Sequence, residues 1–132
     1  MGDAIEVPLG PRRETVRIMT QANPAAGARI YFIEHDEFYD RPKLYGDAAG
    51  DFPDNPERFG LFALASVMAL PLVTEGPVLL HAHDWHAALA LTFLRTRFAD
   101  DPRYRRIVTV LSVHNAGYQG HYPPSEIGRA HV

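Results

Sequence analysis

The sequence predicts an α/β fold built on a parallel sheet, and three observations carry that expectation. Apolar, β-branched-rich runs at Ala28–Ile33, residues 77–82 and Ile107–Ser112 alternate with helical patterns. Each run ends in a polar cluster: Glu34/His35, His81/His83/Asp84 and His114/Asn115. In parallel α/β sheets ligands sit outside the carboxyl ends of the strands, where the N–H groups of the next helix are also free. The order therefore predicts three polar clusters converging on one rim.

Residues 5–9 and 14–19 are short β-branched runs separated by Gly10-Pro11, the pattern of a hairpin or of two edge strands. Residues 22–27, with Asn23-Pro24 inside, read as a loop. Beyond the strand at 28–33, Gly, Pro and Asp recur at short intervals up to Asn55, which predicts an ordered but irregular loop. Asn55-Pro56-Glu57 is a helix start: Asn caps free N–H groups, Pro is tolerated at the first position and Glu suits the positive end of the dipole. That helix is expected to run to about Leu70 with apolar residues nearly all round, hence packed on more than one side. Asp84 is placed to cap the next helix, which carries Leu89, Phe93, Leu94 and Phe98 on one face. Asp100-Asp101-Pro102 ends it.

At 132 residues the chain is about one domain and long enough to bury a core. A formal net charge of −3 gives no electrostatic footprint for nucleic acid, and the arginines at 95, 97, 103, 105 and 106 read as a solvated face. There is no cysteine, which excludes disulfides and thiolate metal sites. The longest apolar stretch, Leu61–Val73, is too short for a bilayer and is broken by Pro71, and no leader opens the chain. A cytoplasmic protein is the expectation.

Three readings of His81-Ala-His83-Asp84-Trp85-His86 compete. His81, His83 and His86 resemble the H-x-H-x-D-H motif of zinc hydrolases, but the carboxylate stands one place off, which turns it by about 100° on a helix. Alternatively, carboxylates, imidazoles and amides match sugar hydroxyls, while Trp85, Tyr118 and Tyr122 can stack on apolar sugar faces. Thirdly, His81 and Trp85 are plain core residues and Asp84 only a helix cap.

Four motifs now carry a resemblance: Tyr39-Asp40-Arg41-Pro42-Lys43-Leu44-Tyr45-Gly46, Asp54-Asn55-Pro56-Glu57-Arg58-Phe59, His81-Ala-His83-Asp84-Trp85-His86, and Val113-His114-Asn115-Ala-Gly-Tyr118-Gln119-Gly120. In this order and spacing, over residues 31 to about 123, the chain resembles bacterial glycogen synthases and plant starch synthases. The resemblance implies a retaining glycosyltransferase of the GT-B architecture, with two Rossmann-like domains across a cleft. It implies transfer of glucose from an ADP-glucose donor to the non-reducing end of an α-1,4-glucan acceptor, without metal or other cofactor, in the bacterial cytoplasm or a plant plastid. His114 then corresponds to the histidine beside the transferred glucose, Asp84 to an aspartate on the acceptor side, and Tyr45 to a tyrosine in contact with substrate. Asn115, Gln119 and His83 join the substrate-binding residues. The Lys-x-Gly-Gly-Leu loop of such enzymes does not occur, nor does their second domain. The expected organisation is a β-rich lead-in over 1–27 and a partial Rossmann-like N-terminal domain over 28–132, inactive alone. A zinc-dependent hydrolase and a stand-alone glucan-binding module are the alternatives.

Overall fold

The computed structural model describes residues 2–23, 25 and 27–123. Three antiparallel strands come first, β1 (Asp3–Leu9), β2 (Arg12–Asn23) and β3 (Ala28–Glu34), in the spatial order β1-β2-β3. Leu9 pairs with Arg12 across Gly10-Pro11, and Gly10 supplies the positive φ, 56°, that a two-residue hairpin turn needs. The expected hairpin is thus present. Its second strand runs on to Asn23, into the stretch expected as loop, because the β2–β3 ladder continues to the pair Asn23↔Ala28. Long-range pairing here overrides weak local preference. The boundary expected at 27/28 falls in this β2–β3 connection, within one sheet.

The strand expected at 28–33 forms, but in antiparallel register with β2, Ile18 opposite Ile33. It does not join the later strands, which corrects the expected three-cluster rim. Glu34 instead binds Arg17 at 2.7 Å, and His35 reaches Glu14 at 3.2 Å while its ring stacks on Phe38. An apolar run encodes burial and not the identity of the strand beside it.

Residues 35–54 are the irregular segment, with one turn of helix, α1 (Asp36–Tyr39), and a two-rung ladder between β4 (Gly46–Asp47) and β5 (Gly50–Asp51). Helix α2 (Asn55–Val73) follows. It continues three residues past Leu70, since Pro71 lies in the last turn and forfeits a single backbone bond there. Thr74 closes it, its N–H and Oγ both donating to the Leu70 carbonyl. Leu61, Ala63, Leu64, Ala65 and Val67 are completely buried, so the helix is enclosed on several sides, chiefly by β1 and α3. By length and composition α2 meets the requirement for crossing a bilayer, although half of its apolar window is buried inside the fold.

Strand β6 (Val78–His83), helix α3 (Asp84–Thr96), a 3₁₀ turn (Pro102–Tyr104) and strand β7 (Ile107–Ser112) complete a β-α-β unit in which β6 and β7 run parallel. The α/β class with a parallel sheet therefore stands. Val78, Leu80, Ile107 and the α3 residues Phe93 and Leu94 pack into the core. The alternate residues Leu79, His81 and His83 of β6, in register with Val108, Val110 and Ser112 of β7, share the opposite face. On it Leu79 is 63% and Val108 62% exposed. The five arginines from 95 to 106 are exposed, as expected of a solvated face.

Candidate active site

The irregular segment is held to α2 by one buried cation. Arg58 is 3% exposed; its Nε donates to the Phe38 carbonyl at 2.8 Å, and its Nη1 to the Leu44 carbonyl at 3.0 Å and to Asn55 Oδ1 at 2.6 Å. Burial draws the guanidinium below its ordinary pKa. Tyr39 closes the loop from outside, its hydroxyl donating to the Arg58 carbonyl at 2.8 Å, and burial raises its pKa. Asn55 does not cap the helix, which corrects the expectation at that position. Asp54 takes the cap place, and the buried Asn55 amide instead donates to the Tyr45 carbonyl at 2.7 Å. Arg58 and Asn55 together thus fix where Tyr45 stands.

At the other wall, α3 begins in an unusual way. Asp84 has a φ of 57°, the one non-glycine residue with positive φ among those described. Aspartate tolerates this left-handed region better than most residues, at a cost of about 1–2 kcal/mol. His83 is the N-cap and no side chain caps the helix, so the capping role expected for Asp84 is not the one it plays. Its Oδ1 instead accepts the backbone N–H of His114 at 2.7 Å, tying the start of α3 to the loop after β7. That hydrogen bond is the main cause holding the Asp84 carboxyl below the usual carboxylate range.

Between these walls lies a pocket of about 370 Å³ lined by Tyr45, Asp51, Asn55, Asp84, Trp85, His86, Asn115, Tyr118 and Tyr122. Its floor is aromatic. Trp85 meets Phe59 edge-on at 4.9 Å and Tyr122 at 5.6 Å, and the His86 ring lies 4.9 Å from Tyr45 and 4.7 Å from Phe59. Burial pulls the His86 imidazole below its ordinary value, with Asp84 partly opposing. Gly120, at φ +64°, lies directly against the Trp85 ring, where a Cβ would collide with it. Two carboxylates, two amides and aromatic rings around one cavity suit a hydroxyl-rich ligand with apolar ring faces.

Of the residues singled out in the sequence, Tyr45, Asp84 and Asn115 line this pocket, as do Trp85, Tyr118 and Tyr122, the three aromatics expected to face a sugar. His83 and His114 lie beside it as a pair, Nδ1 of His83 at 2.9 Å from Nε2 of His114. Gln119 is turned to its own loop, where its amide donates to the Ala116 carbonyl at 2.8 Å. His81 bonds Ser112 Oγ at 2.8 Å on the exposed sheet face, whereas His86 is packed among the pocket aromatics. The three rings of the zinc alternative are thus divided between a strand and a helix, and no group of three potential ligands among the described residues is placed to hold a metal. Asp51 was not singled out, and Asn55 and His86 were read in other roles; the density of Gly, Pro and Asp before Asn55 was the available signal.

Residues 1–132 match the family described as the starch synthase catalytic domain. The chain belongs to that family. Among curated starch synthase relatives, a glycogen synthase of Syntrophotalea carbinolica is 43% identical over 98 residues, which are 74% of this chain and 20% of that protein. A glycogen synthase of Elusimicrobium minutum is 36% identical over 119 residues, 90% of this chain and 24% of its own. The catalytic domain of starch synthase IV from Arabidopsis thaliana, solved with ADP and acarbose bound, superposes with a TM-score of 0.82 at 23% identity, covering 98% of this chain and 25% of that one. The starch synthase fold is therefore shared. The chain spans about a fifth to a quarter of the length of these relatives.

Proposed function

We propose that this chain forms the acceptor side of the active-site cleft of a retaining glucosyltransferase, within the Rossmann-like N-terminal domain of a GT-B enzyme, residues 28–132 following a lead-in over 1–27. The reaction is transfer of glucose from ADP-glucose to the non-reducing end of an α-1,4-glucan, in the cytoplasm or, in a plant, the plastid. The observation that carries this reading is the pocket itself: Asp84 and Asn115 offer hydrogen bonds to sugar hydroxyls beside Trp85, Tyr45 and Tyr118. Family membership supplies the chemistry, and the ligands named for the Arabidopsis relative are a nucleotide and an oligosaccharide mimic. In this reading His114 stands beside the transferred glucose, where an oriented imidazole stabilises charge developing as the diphosphate leaves. Tyr45 and Asn115 contact the glucan, with Gln119 shaping the loop. The donor is held largely by residues outside this chain, so the chain alone does not elongate maltooligosaccharides.

A second reading, a glucan-binding module, is favoured by the fact that the pocket is lined by this chain's own residues. Trp85 is the only tryptophan, so its fluorescence reports the cavity directly. Titration with maltooligosaccharides is expected to give a saturable change. A folded chain whose emission ignores the sugar overturns the acceptor assignment; turnover of ADP-glucose by the chain alone overturns the division of labour.

A further inference from the structure

The His83–His114 contact has a chemical consequence that the pocket does not use. At 2.9 Å between Nδ1 of His83 and Nε2 of His114, one nitrogen carries a proton and the other offers a lone pair. The rings are inclined by only 12° with centroids 5.2 Å apart, so they meet edge to edge, as an in-plane N–H to N bond requires. His83 is itself steadied by the His81 ring, 4.2 Å away, and His81 is anchored on Ser112 Oγ.

The second ring is held in place through its backbone. The Asp84 carboxylate accepts the His114 backbone N–H at 2.7 Å. With Nε2 engaged by His83, Nδ1 is the His114 ring nitrogen left to face a ligand. No described residue bonds His114 Nδ1.

We propose that His83 is a positioning residue that accepts a hydrogen bond from Nε2–H of His114, fixing the tautomer and the plane of that ring so that Nδ1 is the nitrogen presented to the sugar. The inference rests on the assignment of His114 to the transferred glucose. The partner of a working imidazole commonly sets its tautomer; here that partner is a second imidazole at the end of the neighbouring strand and not a carboxylate. Asp84 sets the backbone position of His114, and His83 sets its ring.

The test is two-bond ¹H–¹⁵N spectroscopy of the histidine rings in the whole chain at about pH 8, above the ordinary imidazole value of about 6.5. Expected are a protonated Nε2 and a bare Nδ1 for His114, with a bare Nδ1 for His83. His83→Phe keeps an aromatic ring without the acceptor, and should move His114 to the averaged signals of a free histidine. His83→Asn, which places an amide oxygen near the lost Nδ1, should restore the wild-type pattern. Amide dispersion checks that each variant is folded. A bare Nε2 on His114 in the wild type, or a His114 tautomer indifferent to His83→Phe, overturns the proposal. Maltooligosaccharide added to the same samples separates the two ideas: failure to perturb the pocket sinks the glucan assignment while leaving the tautomer result standing.

Discussion

Asp84 accepts the backbone N–H of His114 at 2.7 Å across the ends of two parallel strands, while its own backbone sits at a φ of 57°. One residue therefore joins the two motifs that carry the site, at the cost of local strain. Removal of this side chain should affect binding more than folding. Asp84→Asn keeps an acceptor and tolerates the left-handed region, whereas Asp84→Ala loses the bond and keeps the strain. The expected order of maltooligosaccharide affinity is wild type, then Asn, then Ala, the last weaker by roughly tenfold or more. Isothermal titration checks it, and equal affinities would remove Asp84 from the acceptor side.

Arg58 is the knot of the segment that presents Tyr45. Arg58→Met leaves the Phe38 and Leu44 carbonyls and Asn55 Oδ1 without their donor, at an expected cost of about 3 kcal/mol in urea unfolding. Arg58→Lys should recover only part of it, because an ammonium lacks the fork that reaches acceptors in two directions. A loss below about 0.5 kcal/mol for the methionine variant would contradict this account.

Gly120 lets the loop after β7 lie against Trp85. Gly120→Ala adds a methyl at a positive φ and into the ring, so the loop must lift. Shifted Trp85 emission and weaker sugar binding, with a melting transition close to wild type, are the expected signature. Unchanged emission would mean that the loop does not rest on the ring in solution.

The His86 imidazole is held below its ordinary value by burial. On acidification the unfolded chain therefore takes up its proton first, from about pH 6.5 downward, while the folded chain resists. Stability is full above that pH and falls below it, levelling where the folded imidazole itself protonates. Urea midpoints between about pH 7.5 and 5 should show this decline, and His86→Asn should flatten it. A slope unaffected by that substitution would assign the titration elsewhere.

Strand β7 and the strand-to-helix junction at 83/84 were legible because each is announced locally, by a β-branched run and by the change from apolar to polar residues. The same reasoning placed Tyr45, Asp84 and Asn115 among site residues, but through resemblance to known motifs, since no spacing rule connects position 45 to position 84. Partner choice is what the sequence hides. Ala28–Ile33 looks like any buried strand, and its pairing with β2 depends on a register that reaches back from Ile33 to Ile18. The roles of Asn55 and Asp84 were misread for a related reason. Both are good helix caps in isolation, and each is drawn away by a distant backbone group, the carbonyl of Tyr45 and the N–H of His114.

The naked face of the β6–β7 ribbon bears on how the chain behaves in a tube. Leu79 and Val108 stand side by side at one end and His81 and His83 at the other, so water meets a greasy strip running into a row of imidazoles. Parallel strands are ordinarily covered on both sides, and an uncovered one is adhesive. Two copies laid face to face would hide the strip together with the His83–His114 pair.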